Sequence, residues 1–553
     1  MTARDIVPPA SILPGLALGL AAFAASLTPS LIPRDAVVQG GLAGACLAIG
    51  LGLWQLARWL WLAAQLPAPP DRAARRIGLA LVVPAAVLSV WNLAQVTPWQ
   101  NSIHAVMGLP PVETARPWLI CAIALPVAAV GYGIGRAIVA AIRIGVRLAG
   151  RVLPPRTAAV LGAVLALFVV WTLANTLMFR TVLRALDASY RQIDALIQPD
   201  QPPPADPTRA GSPASLVAWD DLGREGRAFV ASGPTRDEIA ATLEQPALSP
   251  IRIYVGLPAA ETPEDRAALA LRDLIRAGGF ERSVLVIVTP TGTGWVDPAG
   301  IAPAEYLAGG DIASVAVQYS YLSSPLSLLV EPDYGAETAQ ALFRAVHGHW
   351  SALPRDNRPR LYLHGLSLGA LNSARSAALI EMLDDPIHGA VWSGPPFAST
   401  IWQEATRSRL ADSPVWLPRL SSGKTLRFAN QTGFAENGSA PWGPMRLAFL
   451  QYASDAITFF DPRDLYRPPE WLAPRGPDVS PHVRWYPVVT LLQTGVDMLL
   501  ANRTPAGHGH VYAPEHYLTT WAAVLGPVPG HAALDRIRAR LDGLGLSDPN
   551  RGG

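Results

Sequence analysis

Long apolar runs fill the first third of the chain, and shorter apolar blocks separated by polar residues fill the rest. Five of the long runs could each cross a membrane, which takes about 20 helical residues at about 1.5 Å per residue. These predicted spans lie at about 12–33, 37–62, 77–97, 117–140 and 157–179. The pattern predicts a transmembrane region over residues 1–180.

The loops between the predicted spans differ in charge. Arginines are concentrated in the loops 63–76 and 141–156, whereas the loops 34–36 and 98–116 hold one each. Because Arg-rich loops stay in the cytoplasm, five spans place the N-terminus inside and everything after residue 180 outside. If one weak span were only a hairpin or an interfacial segment, this orientation would reverse.

The pattern in the remainder of the chain predicts a linker followed by a soluble domain. Residues 181–197 repeat apolar positions at helical spacing and predict a juxtamembrane helix, and 198–215 form a Pro-rich linker. From 216 to 553, β-rich runs alternate with helical stretches, which predicts a mostly parallel, doubly wound sheet. The predicted strands are 251–257, 283–289, 314–321, 360–364, 389–394 and 446–453.

Composition supports a membrane part fused to a soluble part. Half of the 553 residues are hydrophobic and 16% are charged, and the mean hydropathy is +0.24. Residues 1–180 carry 13 Arg and 4 acidic residues, whereas the remainder carries 31 basic and 38 acidic ones. Basic residues between spans explain this split, so it does not indicate nucleic-acid binding. The two cysteines allow neither a disulfide framework nor a Cys-based metal site.

One short motif carries candidate chemistry. The sequence Gly365-Leu366-Ser367-Leu368-Gly369 follows a predicted strand and precedes a predicted helix. This G-x-S-x-G context is typical of a nucleophile elbow, where glycines permit the tight turn and the serine is the nucleophile. The Leu368 N–H at the start of the helix could bind an oxyanion.

A serine nucleophile needs a base that is oriented by an acid, and both candidates lie downstream. Asp455 follows the strand 446–453, and we prefer it to Asp384, Asp385, Asp461 and Asp464, which no such strand precedes. His508 and His510 lie in the sequence PAGHGHVY. They are two residues apart, so at most one should face the site. His510 is marginally favoured, and His364 stays a supporting candidate.

The loop 289–298, TPTGTGWVDP, could complete an oxyanion hole through the backbone of Thr291, Gly292 and Thr293. The alternative is an ordinary Gly-rich turn. We expect no metal and no cofactor, because the HxH pair has no evident third ligand cluster.

Two further segments allow more than one interpretation. The segment 396–443 predicts a cap-like insertion whose Trp402, Trp416 and Trp442 could bind an acyl chain or pack the cap onto the core. The apolar segment 484–500 predicts a helix that lines the pocket or lies on the membrane surface.

The assembled motifs resemble a known family. TPTGTGWVDP, VAVQYSYL, HGLSLGA, QYASDAI, RGPDVSPHVRWYPVVT and GHGHVY are together similar to the ninth α/β-hydrolase catalytic-domain family of bacterial membrane-embedded proteins. The resemblance covers nearly the whole chain and implies an N-terminal multispan region, an α/β-hydrolase domain and a catalytic serine. The chain departs from the family at Leu366, where Glu is usual.

These observations favour a serine ester hydrolase in a bacterial inner membrane, with a lipid or other ester as its small-molecule partner. An acyltransferase would use the same residues with an alcohol acceptor. An inactive hydrolase domain in a membrane scaffold is the alternative from another class. The sequence carries no indication of oligomeric state.

Overall fold

The computed structural model describes residues 12–67, 70–173, 194, 201–321, 334–377, 382, 384–435, 440–526 and 529–546. The chain divides into two units. A helical unit comprises Met1–Ala185, Phe460–Leu472 and Pro477–Leu500. A sheet unit comprises Leu186–Phe459, Ala473–Gly476 and Ala501–Gly553.

These units differ from the contiguous domains expected from the sequence. Residues 460–472 and 477–500, expected inside the soluble domain, group with the N-terminal helices. Part of the expected linker belongs to the sheet unit, because Arg209 forms a parallel bridge with Arg252 and the Ala210 N–H donates to the Arg252 carbonyl at 2.9 Å. The expected juxtamembrane helix 181–197 lies outside the described residues, except for residue 194.

The helical unit is built from six α-helices in its described part. They are α1 (Leu13–Ser26), α2 (Ala36–Ala63), α3 (Asp71–Val106), α4 (Pro117–Ala149), α5 (Pro155–Leu173) and, far downstream, α14 (Val489–Leu500). The numbers α6 to α13 belong to the sheet unit. Helix α14 packs against α1 and α2, where Val489 joins Leu42 and Cys46 in a buried cluster.

Three of the described helices are long and apolar enough to cross a membrane, over Ala36–Trp61, Arg72–Val106 and Pro117–Ala149. The stretches Leu13–Ser26 and Val160–Thr172 are apolar but shorter. The first expected span, 12–33, is therefore too long: α1 ends at Ser26, because Pro29 and Pro33 follow and disfavour helical backbone. The last expected span, 157–179, continues beyond the described residues.

Small residues let the helices of this unit approach closely. A Cβ atom added to Gly50 on α2 would lie 2.7 Å from the Gly19 Cα on α1. A Cβ atom added to Gly44 would lie 2.7 Å from the Val127 Cβ on α4. Helix packing through small residues is typical of proteins in lipid, where backbone proximity replaces the hydrophobic driving force.

The sheet unit contains an eight-stranded sheet in the order β1-β3-β2-β4-β5-β8-β6-β7. Its strands are β1 (Ile251–Val255), β2 (Val284–Thr289), β3 (Ile312–Val317), β4 (Arg360–Leu366), β5 (Gly389–Ser393), β6 (Leu426–Asn430), β7 (Gly433–Phe434) and β8 (Arg446–Leu450). All neighbours pair in parallel except β6 and β7. Since the strands β1 to β5 are buried almost throughout, both faces are covered, and the predicted mostly parallel sheet is confirmed.

Helices surround this sheet. They are α6 (Gly223–Ala231), α7 (Arg236–Leu243), α8 (Pro263–Arg276), α9 (Pro298–Leu307), α10 (Tyr334–Ala352), α11 (Leu368–Ser376), α12 (Thr400–Arg407), α13 (Ala456–Phe459), α15 (Pro514–Leu525) and α16 (His531–Gly543). Short 3₁₀ turns lie at Trp219–Leu222, Leu257–Ala259, Gly279–Glu281, Arg355–Asn357 and Ala501–Arg503, and in the helical unit at Pro462–Leu465 and Glu470–Leu472.

The segment 396–443 is more than a cap, because it contributes two strands that were not expected. Strand β6 pairs in parallel with β8, with Leu426 opposite Leu447, and β7 returns beside it. The polar residues Arg427 and Asn430 interrupt the apolar pattern of β6, which is why the sequence shows no β-rich run there.

One buried ion pair joins the edge strand β1 to helix α9. The Arg252 guanidinium donates to the Glu305 carboxylate through Nε at 2.7 Å and Nη2 at 2.6 Å, and both side chains are fully buried. Arg252 also donates to the Phe229 carbonyl on α6 at 2.5 Å. Such a pair is fully hydrogen-bonded, and loss of one partner leaves an uncompensated charge in the core.

We expect Glu305→Ala to lower the free energy of unfolding by about 3–5 kcal/mol, because Arg252 would stay buried without a counter-charge. Chemical denaturation followed by tryptophan fluorescence measures this change. The matched control is Asp535→Asn, because Asp535 pairs with Arg538 at the surface. It should change stability by less than about 1 kcal/mol. Equal losses in the two variants would contradict the prediction.

Candidate active site

Ser367 occupies a strained turn between β4 and α11. Its backbone has φ 58° and ψ −124°, a left-handed conformation that residues with a side chain rarely adopt. Strand β4 ends at Leu366 and helix α11 begins at Leu368, so the serine stands alone between the two elements. Such strain persists where the surroundings over-determine the backbone and is typical of functional sites.

The two glycines of the motif make this turn possible. A Cβ atom at Gly365 would lie 2.7 Å from the Ala370 nitrogen, inside the first turn of α11. A Cβ atom at Gly369 would lie 2.9 Å from the Pro290 carbonyl oxygen, just beyond the end of β2. Because neither position has room for a side chain, the start of α11 packs directly on the ends of β4 and β2.

Asp455 and His510 form a buried pair. The His510 Nδ1 lies 2.7 Å from the Asp455 Oδ2, and the two residues are 5% and 0% exposed. The same oxygen accepts the Tyr512 hydroxyl at 2.8 Å, and the other oxygen accepts the Ile457 N–H at 2.9 Å. Several donors thus hold the Asp455 carboxylate in place. The carboxylate in turn orients the His510 ring so that its Nδ1 faces Asp455.

His510 and Ser367 both lie beside the carboxyl end of strand β5. The Ser367 N–H donates to the Ser393 carbonyl at 3.0 Å, at the end of β5. A Cβ atom on the next residue, Gly394, would lie 2.5 Å from the His510 Cε1. Within the described residues, the His510 Nε2 is buried and has no hydrogen-bond partner. This nitrogen is the one that a serine nucleophile would use.

The other histidine of the loop lies elsewhere. The His508 Nδ1 contacts the Ala506 carbonyl oxygen at 3.3 Å. Between the two histidines that the sequence left open, the structure places His510 beside Asp455.

The rival acids have other surroundings. Asp385 accepts from Arg358 at 2.8 Å and Asp461 from Arg463 at 2.8 Å. Asp464 belongs to the helical unit with Asp461. Asp384, in the sheet unit, is exposed.

The oxyanion candidates fall into two groups. The Leu368 N–H stands at the first position of α11, where backbone donors lack partners inside the helix. The Thr291 N–H instead donates to the Trp295 carbonyl at 2.9 Å and so closes the loop 289–298 into a turn. The Thr293 carbonyl accepts from the Gln318 side chain at 3.1 Å. Thr291 is therefore engaged within its own loop, and Gly292 and Thr293 stay predictions.

Two side chains near His510 were not predicted from the sequence. Tyr512 donates to Asp455, and its position two residues after His510 could have indicated this. Asp297 is buried and caps α9 through the Ala299 N–H at 2.9 Å. Burial raises the pKa of Asp297 to about 7, against hydrogen bonds from Ala299 and Tyr517 and the nearby His510 ring. Its position before Pro298 in the sequence does not by itself indicate that it lies near His510.

His364 lies on β4, three residues before Ser367, and its ring is buried. Its Nδ1 lies 2.8 Å from the Val391 carbonyl oxygen, and a Cβ atom at Gly300 on α9 would lie 2.6 Å from its Nε2. Burial lowers the pKa of His364 to about 4, although the Val391 carbonyl acts in the opposite direction. The ring is thus neutral at neutral pH and fills the space between β4, β5 and α9.

The tryptophans of the segment 396–443 pack and form hydrogen bonds. Trp402 is buried, and its indole N–H donates to the Gln451 side chain at 2.6 Å. The Trp416 indole donates to the Pro474 carbonyl at 2.9 Å, and Arg427 stacks over the Trp442 ring at 4.1 Å. The contacts of Trp402 and Trp416 are those expected if these tryptophans pack the segment onto the core, whereas the Trp442 contact lies within the segment.

Within the described ranges, no group of three or more His, Cys, Asp or Glu side chains is arranged to hold a metal ion.

Two family models match the chain. The model described as "Alpha/beta-hydrolase family" matches residues 251–537, more than half of the chain, and that described as "Alpha/beta-hydrolase family N-terminus" matches residues 27–234. Searches of curated proteins and of solved structures returned no match. The match to both models confirms the resemblance drawn from the motifs. The chain therefore belongs to the ninth α/β-hydrolase family, in which a characteristic N-terminal region accompanies the hydrolase domain.

Proposed function

We propose that this protein is a membrane-anchored serine hydrolase that cleaves a carboxylic ester of a lipid or envelope component. The observation that carries the proposal is the convergence of Ser367 and the His510–Asp455 pair on the end of β5. Family membership supports hydrolytic chemistry, and the three residues stand in the chain order Ser, Asp, His that this fold uses.

The first half of the reaction forms an acyl-enzyme. The Ser367 hydroxyl oxygen attacks the ester carbonyl while the His510 Nε2 takes its proton, and Asp455 stabilises the resulting imidazolium. The Leu368 N–H and the positive end of α11 stabilise the oxyanion. His510 then returns the proton to the leaving alcohol, and the bond between the carbonyl carbon and the alkoxy oxygen breaks.

The second half releases the acid. Water replaces the alcohol, His510 takes a proton from it, and the hydroxide attacks the acyl-Ser367 ester. The acid leaves as Ser367 regains its proton.

A membrane location supports a lipid substrate. Three long apolar helices of the helical unit are compatible with membrane insertion. We infer that α1 and α5 complete a five-pass region. The Arg-rich segments 63–76 and 141–156, which include the start of α3 and the end of α4, then lie in the cytoplasm of a bacterium. The sheet unit then lies on the extracytoplasmic side of the inner membrane, where it meets envelope lipids.

The first test concerns the nucleophile. The detergent-solubilised protein should react with a fluorophosphonate, and Ser367→Ala should lower the hydrolysis of a short-chain ester by roughly 10⁴-fold or more. The matched control is Ser376→Ala at the end of the adjacent helix α11, where the buried Ser376 hydroxyl donates to the Ser373 carbonyl. Labelling of the wild type and of Ser367→Ala to equal extent would overturn the proposal.

The second test distinguishes the two histidines of the loop. We expect His510→Ala to slow ester hydrolysis by roughly 10³-fold or more, because Ser367 would lose its base. His508→Ala should have little effect, because the Nδ1 of that ring lies beside the Ala506 carbonyl in its own loop, whereas His510 is the histidine beside Asp455. Steady-state kcat values of the two variants test this prediction. A larger loss of kcat in His508→Ala than in His510→Ala would assign the base to His508.

The third test concerns orientation. A cysteine at the exposed position Ala214 should react in intact cells with a thiol reagent that cannot cross membranes. A cysteine at Pro67, in an Arg-rich loop, should react only after permeabilisation. Both variants are made with Cys46 and Cys121 replaced by serine. Protection of position 214 in intact cells would place the sheet unit in the cytoplasm.

A further inference from the structure

A buried ion pair holds helix α14 within the helical unit. The Asp497 carboxylate on α14 accepts the Arg34 Nε and the Leu31 N–H, each at 3.0 Å, and also the Ser30 hydroxyl. The Arg34 and Asp497 side chains are 1% and 0% exposed. The negative charge of the Asp497 carboxylate is thus enclosed by residues of the segment that connects α1 and α2.

The arginine extends this network to two more helices. Its Nη1 donates to the Gln39 side chain on α2 at 3.1 Å, and its backbone N–H donates to the Gln100 side chain on α3 at 3.0 Å. One turn before Asp497, Gln493 donates to the Thr28 carbonyl at 3.0 Å. The polar face of α14 therefore forms hydrogen bonds with the backbone and side chains of the segment between α1 and α2.

A helix held in this way has a defined position. Apolar contacts alone tolerate sliding and rotation, whereas charge-assisted hydrogen bonds have fixed lengths and directions. Separating a buried charge from its partner is costly, so α14 cannot shift by even one turn without breaking the pair.

The chain leads from this helix directly into the loop of His510. Helix α14 ends at Leu500, and the carbonyl of the next residue, Ala501, accepts the His510 N–H at 3.0 Å. Ala501 lies four residues, one helical turn, after Asp497. Helix α14 is thus joined through the chain to the residue whose carbonyl holds the backbone of His510.

We propose that the Arg34–Asp497 pair is a positioning element for His510, so that the N-terminal helices take part in activity as well as in anchoring. This inference rests on the proposed function, in which His510 is the base for Ser367. Its consequence is that the reactivity of Ser367 depends on residues of the helical unit that touch no substrate.

The experiment uses the full chain in lipid nanodiscs and compares Asp497→Asn with Glu470→Gln. Glu470 is a surface carboxylate of the same unit that pairs with Arg467, so its replacement is a matched control. Two readouts are taken: hydrogen exchange of the segments 501–513 and 360–377, and the rate constant kinact and affinity KI for a fluorophosphonate.

We expect Asp497→Asn to lower kinact by about 10- to 100-fold at unchanged KI, because a small displacement of the base is enough for such a loss. Exchange should quicken in 501–513 and stay at the wild-type rate in 360–377. The double variant Arg34→Met with Asp497→Leu should react faster than Asp497→Leu alone, because it leaves no buried charge unpaired. This double variant also keeps the test open if a single variant fails to fold.

Exchange and kinact equal to those of Glu470→Gln would overturn the inference. Equal loss of protection in 501–513 and 360–377 would also overturn it, because the pair would then support the whole fold instead of the loop. If the wild type does not react with the probe but exchange in 501–513 still quickens in Asp497→Asn, the proposed function fails while the anchoring of the loop stands.

Discussion

The architecture of the sheet unit depends on one steric constraint, the contact between the first turn of α11 and the ends of β2 and β4. Gly365 and Gly369 have no room for a Cβ atom there, so the chain must turn sharply at Ser367. That turn fixes the serine at the carboxyl end of the sheet. The loop after β2, the end of β5 and the helix α11 are then close enough to surround one side chain.

Much of this arrangement could be predicted because the relevant signals are local. Six strands appeared as continuous apolar runs, since a sheet covered on both faces needs apolar residues throughout. The glycines around Ser367 follow from the tight turn alone. The order of Ser367, Asp455 and the histidine loop follows from the fold, and the family match confirms the fold class.

Other features depend on contacts between residues far apart in the chain, and local patterns do not report these. Strand β6 is polar at Arg427 and Asn430 and is a strand because β8 lies beside it. Helix α14 was expected from its apolar residues, but contacts with residues such as Arg34, 463 positions from Asp497, place it with the N-terminal helices. Asp297 was not predicted as part of the site because its approach to Tyr517 and His510 is a tertiary contact.

The backbone pairing of Thr208 and Ala210 with Arg252 has a consequence for solubility. An open outer strand offers unpaired donors and acceptors to the sheets of other molecules, and natural proteins cover or shorten such edges. Here the chain before the first strand occupies backbone groups of β1, while the opposite margin ends in the two-residue strand β7. The paired Arg252 position of β1 and the short β7 margin are thus poor templates for strand addition, which disfavours edge-to-edge pairing between copies.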